Sequence, residues 1–76
     1  MNRVLAVMPD PDDVYELLCR TQDPGDKVLL KVLHSRVQRE LKIFCNVEQL
    51  DAAVDLLVDQ GKVERVPLEE MVRRLR

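Results

Sequence analysis

The 76-residue sequence has no tryptophan, one tyrosine, one phenylalanine, two glycines, two cysteines and one histidine. Each scarcity excludes something. Single-strand nucleic-acid binders stack successive bases on several aromatic side chains, and Tyr15 and Phe44 alone cannot build such a platform. Gly25 and Gly61 stand far apart, so the chain has no glycine-rich loop to cradle a phosphate. A structural zinc needs about four ligands at close spacings, whereas Cys19, Cys45 and His34 are isolated from one another. No metal or other cofactor is therefore expected. Cys19 and Cys45 could form one bridge at most. Both sit in apolar surroundings and read as reduced, buried small hydrophobes. His34 reads as a solvated or hydrogen-bonded side chain. No apolar run approaches the roughly 18–20 residues that span a bilayer. Met1 to Met8 is short for a secretory segment and no small-residue cleavage site follows it, so the expected location is cytoplasmic.

What the sequence does hold is a globular balance, 46% hydrophobic and 34% charged, in a length that suits one small domain, residues 1–76. A chain this short buries only about 60% of its unfolded surface, so its stability margin is thin. Residues 1–9 read as an apolar strand or arm ended by Pro9. Residues 10–21 read as a helix. Asp10 can cap it, Pro11 fits the first helical position, Asp12 and Asp13 favour its positive end, and Val14, Leu17 and Leu18 follow at helical spacing. Asp23-Pro24-Gly25 reads as a turn.

Residues 26–44 read as a second helix, with Leu30, Leu33, Val37, Leu41 and Phe44 on one stripe at about 100° per residue. A strand over Lys27 to Leu33, followed by a shorter helix from Ser35, is the alternative. Residues 46–60 read as a third helix, capped by Asn46 with Gln49 completing a capping box and ended by Gly61. Leu50, Ala53, Val54 and Leu57 form its core stripe. Residues 62–66, Lys62-Val63-Glu64-Arg65-Val66, alternate like a half-buried strand. Pro67 then opens a C-terminal helix over 67–75, with Leu68, Met71, Val72 and Leu75 at helical spacing.

The stretch from His34 to Val66 resembles the helix-turn-helix and wing of winged-helix domains. The residues that carry the likeness are S-R-V-Q-R-E-L-K-I, a short turn, N-V-E-Q-L-D-A-A-V-D-L-L-V-D-Q-G and K-V-E-R-V. The resemblance implies a mainly helical, small winged-helix-like fold of three helices, a wing-like strand and a short C-terminal helix. It implies that the helix before Gly61 is the recognition helix and that the strand after it starts the wing. Where that family has a returning strand, Pro67 predicts a helix.

Charge alternates along the chain. Residues 1–30 carry a net −3, residues 31–46 a net +3, residues 47–60 a net −4 and residues 61–76 a net +2, for −2 overall. The third helix is the most acidic piece, with Glu48, Asp51, Asp55 and Asp59 on the side opposite its core stripe. DNA carries one negative charge per roughly 1.7 Å, and proteins bind it largely by neutralising those charges. Four carboxylates on the presumed recognition helix oppose that. The bland reading is a solvated face. The functional reading is a protein-interaction surface, made of Glu48, Asp51, Asp55 and Asp59, for a basic or nucleic-acid-handling protein, as a small adaptor or inhibitor would present. The alternative is a DNA-binding regulator that contacts phosphates through Lys31, Arg36, Arg39, Lys42, Lys62 and Arg65. Self-association as a homodimer fits both. Catalysis is not expected, because the carboxylates have no partner base and the domain has little room for a pocket.

Overall fold

A computed structural model describes residues 8–76. The arm read over residues 1–9 therefore lies almost wholly outside the described residues. Within them, three helices pack against a three-stranded antiparallel sheet. The order along the chain is α1 (Pro11–Thr21), β1 (Lys27–Leu29), α2 (Leu30–Glu40), α3 (Val47–Asp59), β2 (Val63–Val66), a single 3-10 turn at Pro67–Glu69, and β3 (Met71–Arg74).

Helices α1 and α3 form where local signals ask for them. The Asp10 carboxylate accepts from the Asp12 N–H at 2.9 Å at the start of α1. At the start of α3 the Asn46 side chain accepts from the Gln49 N–H and the Gln49 side chain accepts from the Asn46 N–H, each at 2.9 Å. Helix α3 ends on a left-handed Gly61, φ 73°. Its last carbonyls are satisfied by the Gly61 N–H on Val58 and the Lys62 N–H on Leu57, the paired bonds that a glycine just past a helix end allows.

Two expectations are corrected. The helix read over 26–44 is a strand followed by a helix. Lys27–Leu29 pairs with Met71–Arg73, and α2 begins only at Leu30 and ends at Glu40. Leu29 caps α2 without a side-chain hydrogen bond. Instead the Leu30 N–H donates to the Glu70 carbonyl at 2.9 Å, so the start of α2 is set by the turn that enters β3, forty residues on in the chain. The helix ends with Lys42 in the left-handed region, φ 58°, which leaves Phe44 outside the helix and 70% exposed.

The helix read over 67–75 is likewise absent. Pro67 opens one 3-10 turn, Glu70 turns the chain at φ 53°, and Met71–Arg74 returns as β3. That strand lies in the middle of the sheet, between β1 and β2. Its period-three apolar spacing mimics a helix, but its backbone is claimed by two neighbours, and Val72 is the residue it buries.

The core sits between the helices and one face of the sheet. It joins Val14, Leu17 and Leu18 of α1, Leu33 and Val37 of α2, and Leu50, Ala53, Val54 and Leu57 of α3 to Val28, Val63 and Val72 of the three strands. Cys45 completes it, and the described residues bury no charged side chain.

Candidate interaction surface

Packing of Leu50, Ala53, Val54 and Leu57 into the core fixes which side of α3 faces outward. That side carries exposed Glu48, Asp55 and Asp59 and half-buried Asp51, about one helical turn apart, with exposed Ala52 and Leu56 beside them. The carboxylates are not equivalent. Strand β2 returns alongside α3 and lays Arg65 across it. The Arg65 Nη1 donates to Asp51 Oδ1 at 2.7 Å, and Nη2 donates to Asp55 Oδ1 at 2.6 Å and to the Asp51 carbonyl at 2.9 Å. Nε donates a further bond to Asp55 Oδ1 at 3.2 Å. Burial pulls the guanidinium pKa down, but hydrogen bonds and charge from Asp55 and Asp51 outweigh it, so Arg65 is held above its ordinary value. Among the described residues no cation lies within ion-pair distance of Glu48 or Asp59.

The tip of the β2–β3 hairpin adds to the same sign of charge. Leu68 is fully exposed there, beside exposed Glu69 and Glu70. Glu69 is paired with Lys27 at 2.8 Å. The Lys27 hydrogen bond, then its charge, holds the Glu69 carboxyl below its usual range.

The six cations of the alternative set do not form one surface. Arg65 is engaged by α3. Arg36 donates to the Gln22 side chain at 2.9 Å, tying α2 to the end of α1. Lys62 lies over the Tyr15 ring, 4.8 Å from its centroid, and 3.8 Å from Asp12, on the α1 side of the molecule. Lys31, Arg39 and Lys42 are exposed on or just after α2, Arg39 pairing with its neighbour Glu40 at 3.4 Å.

The Arg65 clamp escaped sequence reasoning, which placed this residue among phosphate contacts. The signal was present in part. Asp51 and Asp55 are four residues apart on one helical face, and a strand that doubles back after Gly61 must run beside that helix. His34 also has a defined task. Its Nε2 donates to the Cys45 carbonyl at 2.6 Å, joining α2 to the segment that enters α3. Cys19 and Cys45 are both free thiols; Cys45 is buried, which pushes its thiol up, whereas Cys19, expected to be buried, is only half-buried on α1. Among the described residues no cluster of three or more His, Cys, Asp or Glu is placed to hold a metal ion, and no helix is long and apolar enough to cross a membrane. No family model, curated protein or solved structure matches this chain.

Proposed function

We propose that this chain is a non-enzymatic protein-interaction module of winged-helix type that presents the outward face of α3 to a basic protein partner. The order helix, strand, helix, helix, strand, strand and the placement of β3 between β1 and β2 support the winged-helix reading. In that reading α3 and the hairpin tip are the two elements available for docking, and both are acidic. The observation that carries the proposal is the state of Arg65. Among the described residues it is the cation that pairs with α3, and Asp51 and Asp55 already hold it. Glu48 and Asp59 therefore remain to meet the charges of a partner, with Leu56, 40% exposed, as the apolar contact between them. A basic surface that handles nucleic acid has the matching chemistry, and a small inhibitor or adaptor would cover it by electrostatic complementarity.

Titration of the isotope-labelled chain with a Lys/Arg-rich peptide tests this. The expected result is chemical-shift change confined to α3 and the hairpin tip, with affinity lowered about tenfold by joint Glu48→Gln and Asp59→Asn replacement. Shifts spread evenly over the molecule, or unaffected by those replacements, contradict it. The DNA-binding alternative retains one supporting observation, the exposed trio Lys31, Arg39 and Lys42. Shifts centred on α2 in the presence of duplex DNA would favour that reading.

A further inference from the structure

Phe44 is set apart from the other exposed apolar side chains by its mounting and its neighbours. It lies in the connection between α2 and α3 and is 70% exposed, three residues before Val47, 39% exposed, at the first position of α3. The backbone that presents it is held on both sides. Cys45 is buried, its carbonyl accepts from His34, and Asn46 closes the capping box of α3. An aromatic side chain offers 150–250 Å² of burial, roughly, to a contact that covers it.

The flanking charges are of opposite sign. Exposed Lys42 precedes Phe44 and exposed Glu48 follows Val47, while Arg39 is paired with Glu40. A two-fold interface uses the same patch on both copies, so that residue i meets residue j and j meets i. A segment with a cation before its apolar pair and a carboxylate after it is complementary to a second copy that runs antiparallel to it across a two-fold axis. Leu68 at the hairpin tip lacks this arrangement, because Glu69 beside it is already paired with Lys27 of the same chain.

We propose that the α2–α3 turn is a homodimer contact. Phe44 and Val47 of the two protomers meet at the two-fold axis, and Lys42 of each protomer faces Glu48 of the partner. The contact shares Glu48 with the acidic face of α3, so in the dimer Asp59 stays open while Asp51 and Asp55 stay with Arg65. A patch smaller than the roughly 800 Å² per partner of a standard interface gives weak association, with a dissociation constant on the order of 10–100 µM.

Sedimentation equilibrium of the full chain tests this. The expected average mass rises with concentration from 8.8 kDa toward twice that value. Phe44→Ser holds it at the lower value. Lys42→Glu and Glu48→Lys each do the same alone, whereas the double replacement and an equimolar mixture of the two single variants both regain the dimer. Recovery in the mixture separates a lost contact from a misfolded chain. A mass that stays at 8.8 kDa up to about 1 mM overturns the proposal, as does a dimer that Phe44→Ser leaves intact. Because Glu48 serves both contacts, the peptide titration is read separately through Asp59→Asn, which the dimer contact does not involve.

Discussion

Helix α3 and the β2–β3 hairpin are joined by two residues, Gly61 and Lys62, yet they are held by forces of different range. Everything that defines α3 lies within it or next to it: the Asn46–Gln49 capping box, the stripe Leu50, Ala53, Val54 and Leu57, and the left-handed Gly61. The hairpin is defined from elsewhere. Its central strand β3 takes its shape from β1, forty-odd residues earlier in the chain, and from β2. Its link to the helical layer runs through buried Val63 and Val72 and the Arg65 clamp. Local order makes an element autonomous, and non-local order makes it conditional on the rest of the fold.

The comparison can be broken most forcefully at the core that both regions share. Leu57 is fully buried, and Leu57→Ala is expected to cost about 2–5 kcal/mol in urea denaturation. A domain of this size has a margin of roughly 0.05–0.15 kcal/mol per residue, so most of its stability would go, with the hairpin lost together with the helices. Gly61→Ala probes the junction. A Cβ there meets only the Arg76 side chain at 3.8 Å, so the cost is that of a left-handed alanine, about 1–2 kcal/mol. It should appear in the same denaturation curve with an unchanged slope.

Smaller effects sharpen the contrast at the hairpin. Glu70 turns the chain at φ 53°, and Glu70→Gly is expected to stabilise by about 0.5–1 kcal/mol, since relief of backbone strain exceeds the added freedom of the unfolded chain. The smallest effect is pH-dependent. Because Lys27 lowers the folded-state pKa of Glu69, the contribution of that pair is present above the unfolded carboxyl value of 4.5 and is lost as pH falls through the folded value. The difference in denaturation midpoint between the wild-type chain and Glu69→Gln should therefore be measurable at pH 7 and shrink as pH falls below 4.5.

The same division of range explains what was legible in the sequence. Helices α1 and α3 carry their own caps and stripes, and both stand where Asp10, Pro11, Asn46 and Gly61 place them. Strand β1 and the start of α2 are fixed by pairing with Met71–Arg73 and by the Glu70 carbonyl, partners that no local window around residue 27 contains. Strand β3 reads as a helix because Leu68, Met71, Val72 and Leu75 satisfy a helical period, while a four-residue strand that buries only Val72 is too short to show an alternation against it. For the candidate surface, the outward placement of Glu48, Asp51, Asp55 and Asp59 follows from the core stripe alone. Their division into a clamped pair and an open pair does not, because it depends on where a four-residue strand returns.

Fluorescence anisotropy of random-sequence duplex DNA with the purified chain, at low and then moderate salt, tests the central claim most directly. An acidic α3, an acidic hairpin tip and an internally engaged Arg65 predict no binding even at low salt. Micromolar binding that falls steeply with salt, and that Arg39→Glu and Lys42→Glu abolish, would contradict the account and assign the molecule to DNA through α2.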